Sequence, residues 1–576
     1  GIRMGMLAST RPLGHGERKR GFILTLAIDD PALGAVTDLV CALFARPRHV
    51  PQVGPISPKL VQSRLVCVIG RVQGRRVFRH WQQGPDLAAN LSESFAEMHR
   101  TLGAKEMRQV TTLEVFVPEA APFAFVDALA ERPASNVVRH RFALGLVVND
   151  EMASLAPTEL TARNLSFARA FECLAEEMKV APDQGTRVFI PGQSFLINLE
   201  RRKGYLLCRG QPLVTQAEIT PATVRHMADR MTDWLVRQVG ANGCTTYKYW
   251  PSQGKYSDAN NTIRQFMGSA CLALAARRYA GKTVAAACAR NFAYNFATFY
   301  EDRGPFAVIN EFGKTKLGAA GVAITAILNL EDPTARREEL AKLRRFVEEM
   351  QNEDGSFRTF LDPPDRNDNQ FFYPGEALLA LIMLYERDRD PELLRRVKAG
   401  FGYYRAFFRA DRNPAFVPWH TQAYCLLHDQ TDEAEVADFV FEMNDWLLGM
   451  QETGTDAPEI RGDFFDPSRP EYGPPHASAT GVYLEGLIEA WRLARKLGDA
   501  ARAEAYRRSI VLGLRMLRQL QFRAPEDMFY STRRERIEGG LRTAIFDNTI
   551  RIDNVQHGLM AIYRVLDRFA PEDFEV

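Results

Sequence analysis

The stretch Asn369–Glu386, NQFFYPGEALLALIMLYE, indicates a buried helix with a polar N-terminal end. A polar and aromatic lead-in meets Pro374, and small and apolar residues follow with almost no charge before Glu386. Proline suits the first helical turn, because the N–H that it lacks would have no partner within the helix. A surface helix would show a polar stripe with a period of 3.6 residues, and this stretch shows none. The polar N-terminal end carries Asn369, Gln370, Tyr373 and Glu376.

The same pattern occurs in five further stretches of the chain. They are residues 256–278, 311–330, 417–430, 473–494 and 551–566. Between them lie segments with scattered charge and one apolar face, at 221–239, 282–301, 334–351, 391–409, 433–451 and 499–521. This alternation predicts six pairs of an outer and an inner helix, with a period close to the 40–50 residues of helical-pair repeats.

The outer segments also end alike, which supports a repeat. The ends FVEEMQNEDGSF (346–357), WLLGMQETG (446–454) and MLRQLQF (516–522) each place a glutamine before a turn. A linear solenoid would need polar caps and would expose a groove. Six pairs with apolar inner helices fit better if the array closes into a two-layered ring. The polar N-terminal ends of the inner helices would then line one funnel.

This pattern resembles the (α/α)6 toroids of carbohydrate-processing enzymes over about residues 220–576. The MQNEDGSF element also looks like the repeat of terpenoid-cyclase and prenyltransferase toroids. A terpenoid cyclase would need clustered aspartates, and the sequence has no DxDD run and a polar set of candidate funnel residues. The resemblance implies the toroid and a carbohydrate substrate, but it matches no catalytic signature of a single family.

Residues 1–215 are predicted to form an α+β domain, and residues 216–576 the toroid. Strands are expected at 21–29, 111–117, 139–149, 186–200 and 204–210, a hairpin at 64–81, and helices at 31–45, 86–103 and 158–178. Strands and helices without strict alternation favour an α+β fold over a parallel sheet. The domain has no phosphate-binding loop and no nucleophile elbow. Its role stays open between binding substrate, walling one side of the funnel and making an oligomer contact.

Composition excludes several classes of partner. The formal net charge is +2, which gives no general field for nucleic acid. No apolar run is long enough for a transmembrane helix. Eight cysteines without a CxxC pair favour a reducing compartment, so we expect a cytoplasmic protein, or a periplasmic or secreted one if the N-terminus was trimmed. No HExxH or equivalent spacing is present, and we expect neither a metal nor another cofactor. The oligomeric state stays open.

The predicted funnel gathers aromatic rings, amides, carboxylates and a few cations. A sugar ring needs this mixture, because its C–H faces stack on aromatic rings and its hydroxyls form hydrogen bonds. We therefore predict an enzyme that acts on a poly- or oligosaccharide. The candidate substrate-binding residues are Tyr247, Trp250, Asn260, Arg264, Gln370, Tyr373, Trp419, Gln422, Arg551 and His557.

A glycoside hydrolase is the first hypothesis for the reaction. Hydrolysis requires two carboxyls, one protonated and one ionised. Glu376 at a buried helix end is the candidate general acid, because desolvation would raise its pKa. Asp553 or Asp354 is the candidate base or nucleophile.

The alternative is proton abstraction from a uronic acid by a lyase or an epimerase. Asn260 or Arg264 would neutralise the substrate carboxylate, and His420, His476 or Tyr373 would remove the C5 proton. A second alternative is a toroid without catalysis that binds a glycan or a partner protein. Such a binder would keep the aromatic residues but would not need paired carboxylates.

Overall fold

The structure is a computed structural model that describes residues 2–3, 30–119, 122–124, 138–454 and 457–575. An N-terminal α+β domain precedes an (α/α)6 toroid, as predicted. The strand expected at 21–29 lies outside the described residues. Within them, no helix is both long and apolar enough to cross a membrane.

Two antiparallel sheets form the N-terminal domain. Its strands are Ile2–Arg3 (β1), Leu65–Val72 (β2), Arg75–Gln83 (β3), Thr112–Pro118 (β4), Phe123–Ala124 (β5), Ala143–Val148 (β6), Glu151–Leu155 (β7), Thr186–Ile190 (β8), Gly192–Asn198 (β9), Lys203–Cys208 (β10) and Gln211–Pro212 (β11). Its helices are Asp30–Ala45 (α1), Pro58–Val61 (α2), Leu87–Met107 (α3), Pro157–Ala162 (α4) and Phe167–Met178 (α5). One sheet has the order β11-β10-β9-β4-β2-β3, and the other β1-β7-β6-β8-β5. Apolar side chains of α1 and α3 pack on the six-stranded sheet.

Two predictions for this domain were wrong in detail. The helix expected at 158–178 is two helices, because Asn164 adopts φ +52° after α4 and Ser166 caps α5 by accepting a hydrogen bond from the Arg169 N–H. The strand expected at 186–200 is divided at Pro191, and its two halves belong to different sheets. The predicted hairpin is confirmed as β2 and β3.

The toroid contains the twelve helices that the sequence predicts. They are Pro221–Arg237 (α6), Thr262–Arg278 (α7), Lys282–Phe299 (α8), Leu317–Leu328 (α9), Arg337–Glu349 (α10), Tyr373–Asp388 (α11), Pro391–Ala410 (α12), Val417–Thr431 (α13), Ala434–Leu448 (α14), Ala477–Lys496 (α15), Ala500–Leu520 (α16) and Ile552–Arg568 (α17). The even-numbered helices form the outer layer and the odd-numbered helices the inner layer. Each inner helix packs on the next, and α17 packs on α7, so the ring is closed.

The connections that lead from an outer helix to the next inner helix contain short strands. They are Lys248–Trp250 (β12), Lys255–Tyr256 (β13), Tyr300–Asp302 (β14), Ala307–Glu311 (β15), Lys314–Lys316 (β16), Phe360–Asp362 (β17), Arg542–Ala544 (β18) and Asp547–Arg551 (β19). Strand β12 pairs with β19, so the connections of the first and sixth pairs are hydrogen-bonded to each other.

The glutamines at the ends of the outer helices fasten one outer helix to the next. The side-chain amide of Gln351 donates to the carbonyl of Arg396 in α12 at 3.0 Å. The amide of Gln521, after α16, donates to the carbonyl of Met227 in α6 at 3.3 Å, which closes the outer layer. The repeated glutamine in the sequence therefore has a structural role.

The N-terminal domain packs on the connections of the fifth and sixth pairs. The Arg209 guanidinium binds the Glu459 carboxylate at 2.9 Å, and both side chains are fully buried. The Asn548 side-chain amide donates to the Thr161 carbonyl at 2.8 Å, and the Tyr205 hydroxyl to Glu526 at 2.8 Å. Buried ion pairs are costly to break, because the remaining charge is left without a partner.

Replacing Gly539 by alanine should open the outer layer of the ring. Gly539 has φ +88°, and an added Cβ would lie 2.1 Å from the carbonyl oxygen of Arg230 in α6. We expect a loss of about 1–3 kcal/mol or more in the free energy of unfolding, from backbone strain and the clash. Urea denaturation followed by circular dichroism measures it.

The matched control is Gly402→Ala, on α12, where an added Cβ meets no atom within 4 Å. This change should be neutral or stabilise the helix by up to about 1 kcal/mol. Equal stability of the two variants would show that Gly539 does not constrain the closure.

Candidate active site in the toroid funnel

The N-terminal ends of the inner helices surround a cavity of about 440 Å³. We call this space the funnel. Its lining residues are Asn261, Ile263, Arg264, Asn369, Phe372, Tyr373, Glu376, Ala415, Trp419, Tyr472, His476, Ser478, Ala479, Val482, Tyr483, Arg551 and His557. The volume falls in the range of about 300–1,000 Å³ that is typical of small-molecule sites. Every lining residue belongs to the toroid.

Glu376 lies in the first turn of α11 and is buried in the funnel wall. Gly318 on α9 makes room for it, because a Cβ there would lie 2.1 Å from Glu376 Oε2. Burial raises the pKa of Glu376 to about 7, and the nearby cations Arg264 and Lys316 only partly oppose this. The carboxyl therefore titrates near neutral pH, as the sequence suggested, and can donate or accept a proton there.

Asp553 has a different environment from the one expected of a base or nucleophile. It is fully buried, and its carboxylate receives two hydrogen bonds from Arg551 and an ion pair from Arg264 at 3.3 Å. Burial raises the pKa of Asp553, but the two guanidiniums outweigh burial and hold it well below its usual range. Asp553 does not line the funnel. Its role in this geometry is to fix the two arginines at the wall.

His557 on α17 forms a pair with Glu485 on α15. Its Nδ1 lies 2.8 Å from Glu485 Oε1, and Glu485 is fully buried. Because a carboxylate only accepts hydrogen bonds, Nδ1 donates to Glu485, and Nε2 is the ring nitrogen that remains for a substrate. Gly481 lets the helices approach, since a Cβ there would lie 2.9 Å from the His557 Cβ. The Trp419 ring packs edge-on against the His557 ring, with 6.1 Å between the ring centroids.

His476 is the N-cap of α15 and also lines the funnel. Its Nδ1 accepts a hydrogen bond from the Ala479 N–H at 3.2 Å, and Ser478 Oγ lies 2.9 Å from the same atom. Burial lowers the pKa of His476 to about 4, and the Arg551 charge acts in the same direction. The ring is therefore neutral at pH 7, with its proton on Nε2. It is a hydrogen-bond donor rather than a cation.

Two predicted catalytic residues lie away from the funnel. Asp354 is an exposed turn residue, whose carboxylate accepts a hydrogen bond from the Ser356 N–H at 3.0 Å. His420 is fully buried, with Nδ1 bonded to the Phe416 carbonyl at 2.9 Å and its ring stacked on Phe416 at 3.5 Å. Burial lowers the pKa of His420 to about 3. Neither residue lines the funnel.

Several predicted substrate-binding residues have polar partners within the protein. The Gln370 amide donates to the Phe357 carbonyl, Gln422 accepts a hydrogen bond from Arg564, and Asn260 accepts one from Gln265. None of the three predicted residues lines the funnel.

The Lys248 Nζ lies 5.7 Å from the ring centroid of Tyr247 and 5.7 Å from that of Trp250. The Lys248 strand pairs with Arg551 at the edge of the funnel, and neither aromatic residue lines it. Arg264, Tyr373, Trp419, Arg551 and His557 do line it.

Part of the aromatic wall was not predicted from the sequence. Tyr483 lies one turn beyond Ala479 on α15, and Tyr472 belongs to the irregular connection before that helix. Phe372 belongs to the FFYPG lead-in of α11. The helical spacing from His476 could have identified Tyr483, whereas no periodicity marks Tyr472.

Among the described residues, no group of three His, Cys, Asp or Glu side chains is placed to hold a metal ion. The eight cysteines, all of them described, are free thiols. What the funnel supplies is therefore a set of proton donors and acceptors beside two guanidiniums.

Comparison with protein-family models and with curated proteins found no match. Among solved structures, an inactive variant of an α-1,6-mannanase of a Salegentibacter species in complex with α-1,6-mannotriose matches 60% of this chain and 99% of its own, at 11% identity and a TM-score of 0.43. A sugar epimerase from a ruminal bacterium matches 61% of this chain and 99% of its own, at 12% identity and a TM-score of 0.45. An unsaturated glucuronyl hydrolase from Streptococcus agalactiae matches 62% of this chain and 94% of its own, at 13% identity and a TM-score of 0.43.

The Glu376→Gln variant should become more stable than the wild type as the pH rises. Folded Glu376 keeps its proton up to about pH 7, whereas the unfolded chain releases it near pH 4.5. The folded state thus binds more protons in this window, so the stability of the wild type falls as the pH rises through it. The difference between variant and wild type should grow by about 3 kcal/mol from pH 4.5 to pH 8.

Urea denaturation at both pH values measures this difference. The control is Glu353→Gln at an exposed position, which should leave the pH dependence unchanged. A Glu376→Gln variant that follows the wild type at both pH values would contradict the raised pKa.

Proposed function

We propose that this chain is a carbohydrate-processing enzyme that moves a proton at a sugar carbon next to a carbonyl or a carboxylate. Epimerases, isomerases and uronate lyases share this step. The observation that carries the proposal is the His557–Glu485 pair, with Nδ1 to Oε1 at 2.8 Å, on the funnel wall. A histidine oriented by a buried carboxylate is a common arrangement for a general base.

The first step is removal of the proton. His557 Nε2 takes the proton from the carbon, and the electrons of the C–H bond move onto the carbonyl oxygen to form an enolate. Arg264 and Arg551 supply positive charge for that oxygen, with side chains 30% and 25% exposed beside the funnel. Asp553 holds both guanidiniums in place, so little reorganisation is needed when the charge develops.

The second step decides the product. A proton returned to the opposite face of the same carbon gives an epimer. A proton returned to the former carbonyl carbon gives an isomer, when the hydroxyl on the deprotonated carbon passes its own proton to the enolate oxygen and becomes the new carbonyl. Expulsion of the oxygen substituent at the β-carbon gives an unsaturated product, as in a lyase. Glu376 has a pKa of about 7, so it can supply the proton that returns to carbon or the proton that the leaving oxygen takes up in the lyase reaction. The neutral His476 can donate a hydrogen bond to a substrate oxygen.

The aromatic wall fits a sugar as the substrate. Trp419, Tyr373 and Tyr483 line the funnel together with Asn261 and Asn369. Aromatic rings contact the C–H faces of a sugar, and amides bind its hydroxyls.

A glycoside hydrolase is the second candidate, and Glu376 favours it. A buried carboxyl that titrates near pH 7 is suited to act as the general acid of glycoside hydrolysis. The second carboxyl that such a reaction needs is not evident, because Asp553 is buried and bound to two arginines. The proton-transfer proposal uses the groups that do line the funnel.

Solvent exchange tests the proposal directly. The protein would be incubated in D₂O with aldoses, ketoses, reducing disaccharides and uronate oligosaccharides, and NMR would follow deuterium at the carbon next to the carbonyl or carboxylate. We expect exchange with at least one of these sugars. His557→Asn should lower its rate by about 10²–10⁴-fold, the usual effect of losing an acid–base group. Glu485→Gln should lower it by about 10–100-fold through the lost orientation of His557.

The control is His226→Asn, an exposed histidine on the outer helix α6, which should exchange at the wild-type rate. New reducing ends without deuterium incorporation or unsaturated product would replace the proposal with the hydrolase. Sugar binding without any turnover would leave a carbohydrate-binding toroid.

A further inference from the structure

The N-terminal domain packs beside one part of the funnel entrance. It contacts the connections of the fifth and sixth pairs through Glu459, Glu526 and Asn548. The connections of the second and third pairs carry the two residues on which the inference below depends, Phe312 and Phe372.

Exposed aromatic residues lie on the connections of the first three pairs. The described residues contain six large apolar side chains that are strongly exposed, and three of these are aromatic: Tyr256, Phe312 and Phe372. Tyr256 packs on Tyr249 at 4.6 Å, so one of its faces already has a partner. Phe312 is 85% exposed and Phe372 is 42% exposed. Exposed large apolar side chains beside a cavity are a feature of ligand-binding grooves.

The backbone at Phe312 is unfavourable for phenylalanine. Phe312 and Gly313 form the two-residue turn between β15 and β16, with φ values of +51° and +87°. Asparagine or aspartate is preferred at the first of these positions, because it tolerates the left-handed conformation at lower cost. Neither packing nor turn geometry therefore accounts for a phenylalanine at this tip.

Phe372 lines the funnel, and Phe312 is one residue away from a contact with the funnel wall. Phe372 is itself a lining residue and precedes Tyr373 and the helix that carries Glu376. Glu311, next to Phe312, accepts a hydrogen bond from the Thr262 N–H at 2.8 Å, between the lining residues Asn261 and Ile263. The hairpin that carries Phe312 is thus fastened to the entrance of the funnel.

We propose that Phe312 and Phe372 form a sugar-binding subsite at the entrance of the funnel, so that the substrate is an oligosaccharide rather than a monosaccharide. The reacting unit lies in the funnel, and the non-reacting units extend over the connections of the second and third pairs and stack on the two rings. This inference rests on the proposed function for the identity of the reacting unit. The stacking itself needs only a sugar with a C–H face.

Phe312→Asn tests the subsite with little risk to folding, because Asn-Gly is the preferred sequence for this turn. Calorimetry would compare cellotetraose, mannotetraose and tetragalacturonate with glucose, mannose and galacturonate. For the tetrasaccharide that wild type binds, the variant should bind about 3- to 10-fold more weakly, while the matching monosaccharide keeps its affinity. Phe372→Leu, which keeps an apolar side chain, should act in the same direction.

The matched control is Leu497→Asn, which removes an exposed apolar side chain at the C-terminal end of α15. It should leave both affinities unchanged. Equal effects of Phe312→Asn on the tetrasaccharide and the monosaccharide, or no effect on either, would overturn the subsite.

Deuterium exchange on the same sugars separates the two proposals. Exchange in wild type that Phe312→Asn does not weaken for the tetrasaccharide would reject the subsite and keep the function. Tetrasaccharide binding that depends on Phe312, without exchange at any carbon, would reject the function and keep the subsite. Absence of binding for all six probes would reject both.

Discussion

Closure of the inner ring is the constraint on which the funnel depends. Helix α7 packs on α17, and β12 pairs with β19, although the two ends of the toroid are about three hundred residues apart in the sequence. This contact brings Arg264 from the first inner helix to Asp553 in the last. The ion pair exists only in the closed ring, and it fixes one of the two cations beside the proposed reaction site.

Two buried carboxyl groups near the N-terminal ends of inner helices are costly to ionise. Glu376 is buried, and its Oε2 has no hydrogen-bond partner in the described structure. Asp463, at the approach to α15, is a second buried carboxyl whose pKa burial raises to about 7. Ionising these groups costs stability, yet a carboxyl that titrates near pH 7 is well matched to proton transfer. The rigid ring around the funnel makes it possible to keep a group of this kind buried.

The helical periodicity of the sequence was sufficient to predict the toroid. Outer segments have apolar residues on one face, because only that face is buried, whereas inner segments have them on all sides, because both faces are buried. The burial of Glu376 followed from the same pattern, because its polar side chain begins an apolar helix. The division of 158–178 did not follow, since a single left-handed residue, Asn164, ends the first helix.

Side-chain direction separates the predicted residues that line the funnel from those that do not. Trp419 and His420 are neighbours at the start of α13, but successive residues on a helix point about 100° apart. Trp419 therefore contacts the funnel, while His420 points outward and packs against Tyr404 of α12 at 5.5 Å. The ion pair of Asp553 could not be predicted from the sequence for another reason, because its partner Arg264 lies 289 residues earlier and no local pattern reveals the pairing.

The contact of the first inner helix with the last also sets the order in which the molecule can be assembled during translation. Until the residues of α17 have left the ribosome, the earlier helical pairs form an open array with an uncovered apolar flank on α7. Nascent chains with such a flank are prone to aggregate and are natural clients of chaperones. The funnel is consequently complete only once α17 has been made, and a chain cut short before residue 552 lacks the helix that closes it.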